Sequence, residues 1–226
     1  MHFDQIYSMV MLVLQASFLV LAALFPIVNP IGSAAVFLAM VSELDKALER
    51  KLAQRIAVYS FFLLFLSMLC GGKILSFFGI DLYSVQIGGG LIVAANGWVL
   101  LSKDEQKTSA AACNPEEVLA QAFYPYTLPI TVGPGSISVA VALGAHLPSQ
   151  LHVASFISPL IIAASILGCA VICAIVYICY RWAHAATKLL GKSGTTVLMR
   201  LSSFISFCIG VQILGSGIRN YIQSLH

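Results

Sequence analysis

The residues able to do chemistry in this chain are polar groups set inside long uncharged runs. One cluster is Phe25-Pro26-Ile27-Val28-Asn29-Pro30-Ile31-Gly32-Ser33. The other, far downstream, is Leu128-Pro129-Ile130-Thr131-Val132-Gly133-Pro134-Gly135-Ser136. Proline has no N–H and clashes with the preceding turn, so each cluster breaks a helix. In a bilayer such a break is tolerated only where protein or a water-filled cavity satisfies the freed backbone groups. Two breaks at matching places in two halves of a chain point to a binding site at mid-membrane. Asn29-Pro30 reads as an N-cap followed by proline at the first helical position, and Gly133-Pro134 has the same grammar. Each would start a half-helix whose amino end offers unpaired N–H groups and about half a positive charge. Two such ends meeting would hold a carboxylate. The carbonyls that end the incoming half-helices would hold an ammonium group. A zwitterionic amino acid satisfies both without any buried protein charge.

The candidate substrate-binding residues are therefore Asn29, Pro30, Gly32, Ser33, Thr131, Gly133, Pro134, Gly135 and Ser136. Asn29 caps one half-helix, Pro30 and Pro134 fix the breaks, and Thr131 and Ser136 orient the substrate. Gly32 and Gly135 permit close backbone approach. Ala34, Ala35 and Gly133 leave room for a small substrate. A competing reading has the hydroxyls bonding to their own helices or joining neighbours, and it is preferred for Thr127 and Ser138. Gln86, Asn96 and Gln212 read as amides that join helices rather than touch substrate.

The elements that carry these residues must be membrane spans. The chain is 59% hydrophobic and only 9% charged, against about a quarter charged in soluble domains. Asp4 and Glu43 are consecutive charges, and the 38 residues between them exceed one straight span of about 20. Segment one is thus a discontinuous helix over 6–41. A charged loop over 43–55 leads to segment two at 56–71, and segment three covers 82–101. The polar stretch 102–117 joins the halves. Residues 118–180 carry no Asp, Glu, Lys or Arg and hold segment four (118–144) and segment five (153–180), separated by a loop at 145–150. A basic loop over 181–200 precedes segment six at 201–218.

With the amino terminus outside, the three inner loops hold ten Lys and Arg residues and the outer side holds two, Lys73 and Arg219. That bias puts both termini outside. Three spans per half invert the second half relative to the first. The expected fold is all-α and transmembrane: six spans as two inverted-topology three-helix repeats (1–101 and 118–226, linked by 102–117), with helices one and four broken at mid-membrane. Pro30 matches Pro134, and Gly90/Gly97 in segment three match Gly210/Gly217 in segment six. The Gly88–Gly90 run reads as a helix-packing surface, since no strand precedes it and no Lys-Ser/Thr follows.

Other classes fit poorly. There is no His-Glu-x-x-His and no Gly-x-Ser-x-Gly motif, and no Lys/Arg cluster interleaved with aromatics for nucleic acid. The expectation is no enzyme, no cofactor and no metal. The cysteines form no Cys-x-x-Cys pair; Cys169 and Cys173 share a helical face, but two thiols fall short of a structural zinc site. No disulfide is expected. No carboxylate falls clearly within a span, so proton coupling would not use a buried one. The amino terminus lacks a basic n-region and a cleavage site, and reads as an uncleaved first span.

Pro26 to Gly32, the Leu-Pro-x-Thr-x-Gly-Pro-Gly pattern of Leu128–Gly135, the glycines of Ile87–Leu91, Leu190-Gly191-Lys192, Arg200 and Gly210-Val211-Gln212 together resemble the MarC family of bacterial integral membrane proteins. The small neutral amino acid transporter SnatA is placed in that family. Gln86 departs from the pattern, where many members have arginine. The resemblance covers essentially the whole chain. It implies six spans in the inner membrane and, for some members, movement of alanine- or glycine-sized amino acids. The expected function is a secondary transporter of small neutral amino acids or similar solutes, working by alternating access. A non-transporting scaffold or regulatory protein, or a channel-like leak, are the alternatives. The expected partners are a small-molecule substrate and the lipid bilayer; glycine-rich faces permit a homo-oligomer.

Overall fold

The computed structural model describes residues 2–41, 44–102, 115–150 and 159–225, and every regular element among them is helical. Helix α1 (His2–Val28) and α2 (Pro30–Val41) are separated by Asn29 alone. Then come α3 (Lys46–Phe77) and α4 (Leu82–Ser102). Short α5 (Pro115–Ala120) leads into an irregular segment, Ala122–Thr131, and then α6 (Pro134–Gln150). Helices α7 (Pro159–Arg181) and α8 (Ala183–Ser224) complete the bundle. Five stretches are long and apolar enough to cross a bilayer: Tyr7–Leu38, Lys46–Phe77, Leu82–Ser102, Pro159–Arg181 and Ser193–Ser224. The pair Ala122–Thr131 and Pro134–Ala145, bent by 71°, makes a sixth when counted as one span.

Several expected boundaries move. The charged stretch 43–55 is helical from Lys46 onward. Its Ala, Leu, Glu, Lys, Gln and Arg residues are strong helix formers, and Glu49, Leu52, Ala53 and Ile56 bury one face of it. At 32 residues α3 is about 48 Å long, more than the roughly 30 Å hydrocarbon core needs, and its first turns carry Lys46, Arg50, Lys51 and Arg55. The basic stretch 181–200 is likewise helical from Ala183. It turns at Gly191, whose φ of 69° and ψ of 177° suit only glycine. The expected loop at 145–150 is the end of α6. Before the second break the chain is not a regular helix. Tyr124 and Leu128 are extended, as residues before proline prefer, and the Tyr124–Pro125 and Leu128–Pro129 bonds are cis. Glu43, Lys103, Lys107, Cys113, His152 and most of the 102–117 linker lie outside the described residues.

Glycine sets the closest helix contacts. Helices α4 and α8 run antiparallel with backbones touching. A Cβ on Gly90 would come within 2.8 Å of Gly210 O and one on Gly97 within 2.6 Å of Phe207 N, while one on Gly217 would meet Ile87 N at 2.9 Å. The Gly88–Gly90 run is thus a packing surface at Gly89 and Gly90, as its composition suggests for a membrane helix. Helices α1 and α7 run parallel: Ser17 Oγ, which donates to Val13 O at 2.7 Å, lies 3.2 Å from Ala164 O, and Gly168 faces Val20. Helix α3 lies antiparallel to α7, with Met68 Sδ 3.6 Å from Cys169 Sγ and Arg50 Nε 3.4 Å from Tyr177 OH. It packs on the irregular segment through Tyr59 and Phe123, with ring centroids 5.9 Å apart. On α6 it packs where Gly71 meets Val141 and Gly144 meets Met68.

These pairings sort the helix ends into two faces. One, the basic face, gathers the start of α3 with Lys46, Arg50, Lys51 and Arg55, and the end of α7 with Arg181. The other gathers the end of α3, the start of α4 and the end of α8, where Asn220 Nδ2 donates to Gln86 Oε1 at 3.0 Å and Tyr83 meets Tyr221. Because α1 runs parallel to α7, its start also belongs to this second face.

Candidate functional site

The first break is built around Asn29. Its φ of 46° lies in the left-handed region that Asn tolerates better than other non-glycine residues. Its Oδ1 accepts the Gly32 N–H at 3.1 Å, and its carbonyl accepts the Ser33 N–H at 2.9 Å and the Ser33 hydroxyl at 3.0 Å. This is the N-cap geometry expected from the sequence. Gly32 makes it possible, because a Cβ there would fall 2.9 Å from Asn29 Cγ. Pro26 and Pro30 remove two donors. The Pro26 carbonyl, deprived of its partner by Pro30, takes a hydrogen bond from Ser206 Oγ at 3.3 Å. Even so, α1 and α2 continue as one candidate span.

The second break bends the chain much more. Gly133 O accepts the Ile137 N–H at 3.1 Å and opens α6. Upstream, Pro125 and Pro129 leave gaps in the ladder. Thr127 and Thr131 donate their hydroxyls to the carbonyls of Ala122 and Tyr126 at 2.7 and 2.8 Å. The local reading of Thr127 and Ser138 fits these bonds, since Ser138 Oγ also donates within its own helix, to Pro134 O at 2.9 Å.

The second break is joined to α7 by a residue that sequence reasoning missed. Tyr180, at the end of α7 and fully buried, sits with its hydroxyl 2.7 Å from Thr131 Oγ1. The single Thr131 proton is committed to Tyr126 O, so Tyr180 is the donor. Its ring stacks on Phe37 at 4.4 Å, and Phe37 meets Tyr126 edge-on at 6.0 Å. No local pattern in the sequence ties this tyrosine to Thr131. Of the nine expected residues, Thr131 is thus tied to Tyr180, while Ser33 bonds locally to Asn29 O. Gly135 instead lets α6 approach α4, where a Cβ would meet Val93 and lie 3.5 Å from Gly89 O. Pro30, Gly32 and Ser136 are buried beside the breaks, Asn29 and Gly133 are half-buried, and Pro134 is exposed.

A cavity of about 540 Å³ opens next to these residues but is lined by others. Ala22, Pro26, Gln86, Ser138, Gln212 and Ser216 contribute, and the remaining walls are apolar. It lies entirely on one side of the breaks. Ala22 and Pro26 precede Asn29, the α6 residues follow Pro134, and Gln86 opens α4. The Phe37–Tyr126–Tyr180 layer lies on the other side, toward the basic face. Gln86 joins α4 to α8 through Asn220, as expected of an amide in a bundle.

One carboxylate is more buried than its sequence position suggests. Glu49, in the first turn of α3, is only 5% exposed and lies 3.2 Å from His184 Nε2. Cys169 and Cys173 are buried free thiols. Among the described residues no group of three His, Cys, Asp or Glu is placed to hold a metal.

A family model for MarC family integral membrane proteins matches residues 14–222. The inner membrane protein MarC of Salmonella typhimurium is 29% identical over 213 residues, covering 91% of this chain and 95% of that protein. Proteins of the same name from Citrobacter koseri and Escherichia coli O139:H28 are 28% and 27% identical over the same shares. No solved structure matches the chain. With apolar helices long enough to span and a family match over nearly its whole length, the chain belongs to the MarC family of multi-pass inner membrane proteins.

Proposed function

We propose that this protein is a secondary transporter of small neutral amino acids or similar solutes, akin in activity to the SnatA transporters, with a site at the two breaks and alternating access around it. The observation that carries the reading is the partition of the bundle at the level of the breaks: a cavity on one side and, on the other, a buried aromatic layer tied to the second break through the Tyr180–Thr131 bond and to α2 through Phe37. A carrier caught with access from one face has this form. The sealed layer favours a carrier over a standing leak.

The packing supports an inverted repeat. Exchange α1 with the irregular segment, α2 with α6, α3 with α7, and α4 with α8. The α1–α7 contact then becomes that of the irregular segment with α3, α3–α6 becomes α2–α7, and α4–α6 becomes α2–α8; all of these occur. The α3–α7 and α4–α8 contacts map onto themselves, and both are antiparallel, as an axis in the membrane plane requires. On this reading the basic face is cytoplasmic and both termini are periplasmic. Substrate would be held by the freed N–H groups at the starts of α2 and α6 and by the Asn29 and Thr131 side chains. Binding isotherms for alanine test it: Asn29→Ala and Thr131→Ala should each weaken binding while the protein remains folded. Isotherms unchanged from the parent in both variants would remove the site from the breaks.

A further inference from the structure

We infer that the cavity between α1, α4, α6 and α8 is a recognition site for a net-neutral, hydrogen-bonding solute with an apolar body, reached by water from the face opposite the basic one. The inference rests on the transport reading and adds a subsite, its selectivity and its side of access. The volume of about 540 Å³ falls within the roughly 300–1,000 Å³ of small-molecule sites.

The polar groups of this cavity are left in need of partners. Gln86 Oε1 is engaged by Asn220, which leaves the Gln86 NH₂ as a donor. Gln212 has no side-chain hydrogen-bond partner among the described residues, although it lines the cavity. An amide at membrane depth is costly without one, so water or a solute must serve it. Pro26 has no N–H, so the carbonyl of Ala22 loses its ordinary helical donor, and both residues line the cavity. Ser138 and Ser216 spend their protons on Pro134 O and Gln212 O, both at 2.9 Å, and keep their oxygens as acceptors. The cavity thus offers donors and acceptors together. None of its lining residues is Asp, Glu, Lys, Arg or His. An ion would shed its hydration there without a counter-charge, whereas a solute with balanced charges or none would not. Leu143, Leu147, Ile209 and Ile213 face the apolar body.

Cysteine accessibility tests this without knowledge of the natural solute. In full-length protein with Cys70, Cys113, Cys179 and Cys208 replaced by serine, Ser138→Cys is exposed to a membrane-impermeant maleimide from each face of oriented vesicles. Phe37→Cys, in the sealing layer, is the comparison. Ser138→Cys should react at least tenfold faster than Phe37→Cys from the face opposite the basic one, and from that face only. If Ser138→Cys fails to fold, Ser216→Cys carries the same measurement. Adding Gln212→Glu should raise the rate ratio of a cationic to an anionic methanethiosulfonate about tenfold, and Gln212→Asn should leave it unchanged. Reaction only with a membrane-permeant reagent, or from the basic face, would overturn the water-filled opening. An unmoved ratio in Gln212→Glu would take Gln212 out of the site. Correct labelling in a protein that moves no solute would count against the transporter reading and leave the cavity assignment standing.

Discussion

The hydrogen bond from Tyr180 to Thr131 joins α7 to the second break and can be isolated by a double-mutant cycle. Tyr180→Phe removes the donor but leaves Thr131 still bonded to Tyr126 O, so it costs one buried hydrogen bond, about 1 kcal/mol. Thr131→Val does more harm. It strands a fully buried phenol O–H, and a buried donor left unsatisfied costs about 1–3 kcal/mol. In the Tyr180→Phe background no phenol is left to be stranded, so Thr131→Val should cost less there than in the parent. Interhelical hydrogen bonds in membrane proteins couple by about 0.6 kcal/mol on average and about 1.7 at most. The full burial of Tyr180 places this pair toward the upper end, about 1–1.5 kcal/mol. Equilibrium unfolding by SDS titration in mixed micelles measures all four proteins. Additivity within about 0.3–0.5 kcal/mol, the behaviour of independent sites, would refute the claim that this bond ties the second break to α7.

Further outcomes follow from the same contacts. Asn29→Ala should destabilise by about 2–3 kcal/mol, from a lost cap and a left-handed alanine. Asn29→Gly, which accepts that φ, should cost less than half as much in the same titration. Gly97→Ala drives a Cβ toward the Phe207 backbone at 2.6 Å and should cost about 1–3 kcal/mol. Gly72→Ala, with open space around it, should be neutral or stabilising by up to about 1 kcal/mol; thermal unfolding followed by circular dichroism compares the two.

Local rules made the cap at Asn29 and the start of α6 legible. Asn29-Pro30 and Gly133-Pro134 are start signals whose chemistry is complete within a few residues, and the observed cap at Asn29 follows from them. The glycines of α4 and α8 were legible for a similar reason: small residues repeating along one helix face have few uses other than close packing. The tertiary joins were not legible. Tyr180 lies 49 residues from Thr131, and only folding sets them together. Glu49 looks solvated among Lys46, Arg50 and Lys51, yet α3 turns it inward against His184. The expected loops at 43–55 and 181–200 failed because charge density was taken to end helices. Both stretches are rich in helix formers, and helices continue past the bilayer wherever neighbours cover one face. The cavity escaped notice because its polar groups come from four helices and form no motif.

The central claim is that the broken helices hold a carried solute. The most direct measurement is uptake of radiolabelled alanine, glycine, serine and threonine into proteoliposomes, with and without a pH gradient, for the parent and Asn29→Ala. The account predicts saturable, competitively inhibited flux of at least one of them, lost in Asn29→Ala. Absence of flux for all four from folded, inserted protein would contradict it, and the breaks would then stand as features of packing alone.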